Sequence, residues 1–372
     1  MPLSTEVIDD DARLEELRDA WDELAVAAGR PFSAPGWMLS WWRHSRPEEA
    51  CLRSVALFDG DRLVGIAPAW VTTPHGRYEQ RLLAAGLASS ATPLAAAGRE
   101  EDVVEALAAQ LAEAPKAGAI RFEGQGGDPD WSARLAERWP GRRPWLHTTP
   151  GTPAPVVHLA GLDYKMWLSG KSANFRKQAR KTRRRLLEAG ARFVVGDPGD
   201  HERFLDAFIR LHGSRWGARG GSHALIPGLR AMLCDAAHEL LPEGRMRLYG
   251  LEVRDDLIGV DVMLAAGGEV SSWNAGFDER WGDYSPGLQT LLFGLEDAMK
   301  RGDRCLSLGA GGQEYKLRLA DSHVELNTVT LVPHGPGYLA TRLGLLRYQA
   351  RWGISRRLSR RTKRRLRRLM RR

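Results

Sequence analysis

Cysteine is scarce. Cys51, Cys234 and Cys305 are odd in number, far apart and never arranged as Cys-x-x-Cys, which argues against a disulfide framework or a thiolate zinc site and fits a reducing cytoplasm. No run approaches the ~18–20 consecutive apolar residues that a membrane-spanning helix needs. The acidic start, Met1 to Asp11, lacks the basic-then-apolar pattern of a secretory signal. His-Glu-x-x-His, Gly-x-Ser-x-Gly and Gly-x-x-x-x-Gly-Lys-Ser/Thr are all missing, so zinc hydrolase, serine esterase and P-loop readings each lack their central part, and no metal is expected. Acidic residues are missing from one end: residues 336–372 hold 14 Arg or Lys and no Asp or Glu. The net charge of +8 therefore belongs to an appendage, because the remainder has 40 basic residues against 46 acidic, a net −6. Such a tail suits an anionic lipid surface or RNA, or stays solvated.

What is present is globular: 372 residues, 43% hydrophobic and 27% charged, enough for one or two sizeable cores. Leu14, Leu17, Trp21, Leu24 and Ala28 share a helical face that stops at Gly29, before a Pro- and Trp-rich stretch from Pro31 to Trp42. Cys51–Phe58 and Arg62–Ala69 about the turn Asp59-Gly60-Asp61 predict a β-hairpin. Helices at about 100–114 and at Trp131–Trp139 flank a short strand, Ala119–Glu123. Residues 141–155 carry four prolines and read as a linker or irregular crossing. Beyond them the pattern gives Tyr164–Leu168, a basic helix Asn174–Glu188 ended by Gly190, a strand Ala191–Val195, and helices at about 200–216 and 228–241. A second hairpin, Arg247–Val253 and Leu257–Ala265, joins a third strand, Glu269–Phe277, through Gly267-Gly268. Ser285-Pro286 then starts a helix with the buried stripe Leu288, Leu291, Leu292, Leu295 and Met299, ended by Gly302, and Cys305–Leu308 is a short strand.

The halves echo each other. Leu63-Val64-Gly65-Ile66-Ala67 follows the first hairpin turn as Leu257-Ile258-Gly259-Val260-Asp261 follows the second, 194 residues later, and each is followed by a helix and a short strand. Duplication of one α/β unit accounts for both the string and the element order. The expected organisation is 1–160, 161–335 and a basic amphipathic or disordered tail, 336–372. In that tail Leu339, Leu343, Leu346, Ala350, Ile354 and Leu358 recur near the helical period, a pattern suited to an anionic membrane surface.

The element order, together with Ser172-Ala173-Asn174-Phe175-Arg176, Leu257-Ile258-Gly259, Gly276-Phe277-Asp278, Tyr284-Ser285-Pro286-Gly287 and Gly309 to Lys316, resembles the GNAT acyltransferases, and the local strings look like the CelD/BcsL-type acetyltransferase family. In layout the chain is also similar to the Fem-type peptidoglycan aminoacyltransferases, which pair two GNAT units. The resemblance implies tandem GNAT-like units, each a mixed sheet with flanking helices. It also implies N-acyl transfer from acetyl-CoA or another acyl-CoA to an amine on a small-molecule or sugar-linked acceptor, in cell-envelope or polysaccharide metabolism. The enzyme would be cytoplasmic and, through the tail, peripheral at the inner membrane surface. Under the Fem-like alternative the donor is aminoacyl-tRNA; a third reading is a non-catalytic module that binds a polyanion.

The residues of that region have their own chemistry. A helix N-terminus gathers about half a positive charge and unpaired amides, so Ser285-Pro286-Gly287, with Gly282 before it, is either a phosphate cradle or an ordinary capped start. Acidic Asp283 in the same turn disfavours a phosphate unless it points away. Gly309-Ala310-Gly311-Gly312 beside Gln313-Glu314-Tyr315-Lys316 is either a backbone that lets a ligand approach closely or a flexible loop with solvated polar residues. Acyl transfer to an amine needs a base, an oxyanion donor and an acid for the leaving group. Glu314 or Asp278 is the candidate base, Tyr315 or Tyr284 the candidate acid, and Lys316 an anion contact. Asp261, amid an apolar strand, is either a carboxylate facing the cleft or a satisfied core group. Arg176 and Arg180 of the basic helix are candidate docks for a polyanionic substrate. His212 and His223 read as loop or surface histidines.

Overall fold

The structure, a computed structural model, describes residues 3–73, 78–88, 90–113, 118–126, 130–217 and 221–357, with side chains to residue 347 in the last stretch. The first half opens with β1 (Ser4–Ile8), then α1 (Asp11–Glu16), capped by the Asp10 carboxylate on the Arg13 amide, and α2 (Arg18–Ala27). The single helix expected here is thus two, and Gly29 ends the second at φ 62°. Next come α3 (Pro35–Ser45), β2 (Cys51–Leu52), β3 (Ser54–Asp59), β4 (Arg62–Ala67), β5 (Ala69–Thr72), β6 (Glu79–Leu82) and β7 (Leu94–Ala95). The half closes with α4 (Glu100–Ala112), β8 (Ala119–Gln125), α5 (Trp131–Glu137) and β9 (Trp145–His158).

The second half begins with α6 (Tyr164–Ser169) and α7 (Ala173–Glu188), the latter capped by the Ser172 hydroxyl on the Phe175 amide. It continues through β10 (Ala191–Gly196), α8 (His201–Gly217), α9 (Leu229–Leu240), β11 (Met246–Val253), β12 (Asp256–Ala266), β13 (Glu269–Phe277), α10 (Pro286–Lys300) and β14 (Cys305–Ser307). The chain then forms α11 (Glu314–Leu319), β15 (Ser322–Val332) and α12 (Tyr338–Arg357).

The echo in the sequence is an echo in register. Leu57 faces Gly65 and Leu251 faces Gly259, and in both hairpins the register shifts at the next residue. Each glycine serves the same purpose: a Cβ on Gly65 would lie 2.7 Å from Val103 of α4, and one on Gly259 would lie 2.9 Å from Thr290 of α10. Removing the side chain lets the following helix settle onto the hairpin.

Residues 141–155, expected to be a linker, are largely strand: β9 pairs with β15 from Trp145–Val332 to Val156–Ser322. Its prolines lack N–H groups, but their carbonyls are used, because Pro155 accepts from the Leu308 amide and Pro153 from the Gly311 amide, each at 2.8 Å. The large sheet runs β10-β11-β12-β13-β14-β9-β15-β8-β6-β5-β2, and a smaller one runs β1-β3-β4-β7. Each half therefore gives its last strand to the other: β9 lies against β14, β15 lies against β8, and the two pair at the centre. The main core crosses the same boundary. Trp37 of α3 packs edge-on against Trp273 of β13 with centroids 5.2 Å apart, and the Trp273 indole donates to the Leu87 carbonyl at 2.8 Å. The architecture is mixed α/β with helices flanking the sheets.

Candidate active site

Strands β13 and β14 run in parallel only over Glu269–Ser271 and Cys305–Ser307. Beyond Ser271 the outer edge of β13 meets no strand among the described residues, so a wedge opens between them. At the same level β13 bulges: Val262 faces Asn274 and Met263 faces Ser272, which leaves Trp273 without a cross-strand partner. A bulge frees a backbone group from the ladder and re-aims its neighbours. The loop after β14 closes on this point because Gly309 has φ 74° and no side chain; a Cβ there would sit 2.4 Å from the Ser272 carbonyl oxygen.

Three ionisable side chains meet at the wedge. Asp261, one residue in from the bulge on β12, is 1% exposed. Its Oδ1 accepts from the Ser272 hydroxyl at 2.8 Å, while its Oδ2 has no hydrogen-bond partner among the described residues. Burial pushes its carboxyl up to about 7, against the pull of Ser272 and the Lys316 charge. Lys316 of α11 is driven down to about 8 by its own burial, which the Asp261 charge opposes. Its Nζ donates to the Gly309 and Ala310 carbonyls at 3.5 and 3.4 Å. Tyr315 is 41% exposed, and its phenol is raised by the part of it that is covered and then by the Asp261 charge. Two groups whose environments bring them from opposite ends of the scale to about 7 and about 8 are candidate acid–base groups.

On the far side of Ala310 lies a cavity of about 310 Å³, bounded by Gly86, Leu87, His212, Trp216, Ser222 and Asn274 among others. Here the structure corrects the surface reading of His212, which is 3% exposed in the middle of α8. Its Nδ1 lies 3.0 Å from the Ala275 carbonyl and its Nε2 2.8 Å from the Ser222 hydroxyl. A carbonyl only accepts, so Nδ1 carries the hydrogen and Nε2 is left to accept from Ser222. Burial lowers the His212 pKa, keeping the ring neutral near pH 7. The sequence held one signal: Phe208, His212 and Trp216 recur every four residues, and their rings pack in series at 5.3 and 6.1 Å. His223 is exposed and also borders the cavity.

The remaining candidates stand elsewhere. Glu314 points outward, its side chain 80% exposed, and pairs with Arg318 one turn on. Asp278 accepts from the Arg280 amide at 2.9 Å and from its guanidinium at 2.6 Å, and those bonds hold its carboxyl below the usual range. It is a cap for the turn Glu279–Tyr284. Tyr284 packs on Trp281 and lies under the Arg185 guanidinium, 4.5 Å from its ring. Ser285 has left-handed φ 49° and its side chain caps nothing, while exposed Gly282 has open space around it. At Gly287 the space a Cβ would take is held by Phe277, 2.8 Å away, so this glycine admits a ring of the protein itself. Exposed Asp283 sits in the same turn. Arg176 ties down the end of α6 by donating to the Ser169 and Lys171 carbonyls at 2.9 and 2.6 Å. Arg180 is exposed on α7.

The first half lacks the corresponding chemistry. Ala67 occupies the place in β4 that Asp261 occupies in β12, and α5, the counterpart of α11, has no lysine. Among the described residues, no group of three side chains is arranged to hold a metal ion.

Residues 173–317 match the family of the acetyltransferase (GNAT) domain. That stretch holds Asp261, Tyr315, Lys316, His212 and Ser222, while Gly86 and Leu87 at the cavity wall lie outside it. The fold is similar to that of FemX, at 11% identity over 90% of this chain and 99% of that one, with a TM-score of 0.61. It is also similar to a conserved protein of unknown function from Bacteroides thetaiotaomicron (10% identity, 89% and 100% covered, 0.57) and to L-PGS from Bacillus licheniformis (10%, 91% and 96%, 0.52). At such identities the likeness concerns the fold, here tandem GNAT-like units. No curated protein matches the sequence.

Proposed function

Starting from an acyltransferase domain over residues 173–317, we propose that the chain transfers an acyl group from acetyl-CoA or another acyl-CoA to an amine on a small-molecule or sugar-linked acceptor. The observation that carries this reading is the wedge between β13 and β14, where buried Asp261 and part-buried Lys316 feel each other's charge, next to the His212–Ser222 cavity that Ala310 also borders. The donor carbonyl lies in the wedge and the amine arrives from the cavity. As nitrogen attacks the carbonyl carbon, its proton passes to Ser222 Oγ while the Ser222 proton moves to His212 Nε2, a step ready at neutral pH because that nitrogen carries no hydrogen. The oxygen that gains charge is met by the Lys316 ammonium and by backbone N–H at the bulge. Collapse breaks the carbon–sulfur bond, and the departing thiolate takes a proton from Tyr315 or Lys316. Once ionised, above about pH 7, Asp261 favours the charged form of Lys316.

The phosphates of such a donor fit the start of α10, where Gly287 and Leu288 offer N–H groups to a ligand. Arg185, above Tyr284, brings positive charge to that turn. The resemblance of the local strings to the CelD/BcsL-type family favours a role in cell-envelope or polysaccharide metabolism. A second reading, an aminoacyl-tRNA donor, is favoured by one feature: Lys177, Arg180 and Lys181 form an exposed basic face on α7 with no ion pair among the described residues. Calorimetry of the protein against acetyl-CoA, and retention of labelled tRNA at low salt, separates the two donors. Thiol release from acetyl-CoA with a panel of amines and amino sugars tests the reaction; no heat and no thiol with any acyl-CoA defeats the first reading.

A further inference from the structure

We propose that the His212–Ser222 cavity takes its amine uncharged, on the ring of an amino sugar, and turns away alkylammonium ions such as a lysine side chain; this rests on the acyl transfer proposed above. At about 310 Å³ the cavity holds about ten waters, the bulk of a single substituted ring. Its polar equipment is uncharged. The Asn274 carboxamide borders it and has no hydrogen-bond partner among the described residues, so its N–H donors and its carbonyl are open to a ligand. Half-buried Trp216 lines it too, its ring 6.1 Å from that of His212. An aromatic ring beside matched donors and acceptors suits a polyhydroxylated ring. A tryptophan face also attracts cations, but the Arg215 guanidinium already lies 5.7 Å from this one.

Charge decides the kind of amine. Among the described residues no carboxylate, lysine or arginine lines the cavity, and the chain from Trp216 to Leu225 contains no Asp or Glu. Glu123 comes close behind Gly86, where a Cβ would lie 3.1 Å from its Oε2, but it is paired with Arg81. Of the 14 cations in residues 336–372, nine lie outside the described residues, as does Leu358, and none of the other five borders the cavity. An ammonium entering here leaves water without a counter-charge, so the amine enters neutral. At about pH 7 a lysine-type amine, of pKa about 10.4, is neutral in about one molecule in 2,500, whereas an amine weakened by neighbouring oxygen, as an α-amino group is weakened to about 8 by its carbonyl, is neutral in about one in ten. The weaker base thus starts about two-hundredfold ahead. A neutral amine also matches the base: Ser222 and His212 take up the one proton shed on attack, with no second acceptor for a prior deprotonation.

The test compares glucosamine with cyclohexylamine, a ring of the same size and of alkylamine basicity, in thiol release from acetyl-CoA by the whole chain. Glucosamine should lead in kcat/KM by at least ~10²-fold at about pH 7, and the ratio should fall about tenfold by about pH 9. Both amines meet the same enzyme, so its own titrations cancel from the ratio. Asn274→Ala should raise the glucosamine KM about threefold to tenfold with kcat nearly unchanged, and Trp216→Ala should raise it at least about tenfold. Cyclohexylamine used as well as glucosamine at about pH 7, a ratio that does not move with pH, or an Asn274→Ala variant with the wild-type KM overturns the proposal. Where no thiol is released, saturation-transfer NMR with the same two amines reads the cavity directly. Glucosamine binding that Asn274→Ala weakens upholds the amino-sugar site while the reaction falls; wild-type protein that binds neither amine, or both alike, overturns the site as well.

Discussion

Asp261→Asn tests the site without an acceptor in hand. In the folded chain the carboxyl titrates near 7, against 3.8 when solvated. Below about pH 3.8 both states are protonated and the group contributes no difference; between about 3.8 and 7 the unfolded chain ionises and the folded one does not. Stability attributable to Asp261 therefore falls as pH rises through that window, by about 1.4 kcal/mol per pH unit and about 4 kcal/mol in all, and is level above it. The asparagine variant keeps an acceptor for the Ser272 hydroxyl and has no charge to bury. Urea midpoints measured from about pH 5 to 8 should show the wild type losing stability relative to the variant up to about pH 7, with the variant the more stable at pH 8. Parallel curves for the two proteins would mean that Asp261 ionises as a solvated carboxylate does, and its proposed electrostatic role beside Lys316 would fall with it.

Lys316→Met should lower kcat by ~10²–10³-fold with donor affinity nearly unchanged, as loss of an oxyanion contact does, whereas Glu314→Gln should stay within about twofold because that side chain only meets Arg318 in water. Thiol-release kinetics on both variants checks the contrast. Ser222→Ala and His212→Gln should each cost ~10²–10⁴-fold, and His212→Gln should abolish the acidic limb of the kcat/KM profile, which lies below about pH 6.5 because burial lowers that pKa; a limb that survives places the base elsewhere. Gly287→Val should destabilise the fold by about 1–3 kcal/mol through collision with Phe277. A variant of full stability that loses acetyl-CoA binding would instead make the glycine a ligand contact.

Much of the fold is legible locally. The leucines of α10 recur at helical spacing, and Asp59-Gly60-Asp61 marks its hairpin, because each signal lies within one element and its immediate partner. The central pairing of β9 with β15 is not legible: the strands lie about 170 residues apart, and Pro153 and Pro155 argue against a strand until the amides that use their carbonyls are known. In the site, Asp261, Tyr315 and Lys316 stand out by residue type. Their meeting does not, since it depends on how β12 and α11 are placed. Glu314 and Lys316 are two positions apart, about 200° around a helix, so only one of them can face the wedge. Which one is decided by where Leu319 buries itself, at 1% exposure. His212 is hidden for a further reason: a buried histidine satisfied by a carbonyl and a hydroxyl looks, in one dimension, like any other.

The exchanged last strands have a consequence for how the chain is made. When the first 160 residues have left the ribosome, β8 has no neighbour on one side, because β15 does not yet exist. A nascent half with an open strand edge must wait for about 170 more residues, at 5–20 residues per second some ten to thirty seconds, with that edge free to pair wrongly. Its completion is also the completion of the second half, since β9 closes that sheet in return. The molecule should thus mature in one late event, and a stop codon anywhere before β15 should yield aggregate rather than a stable fragment.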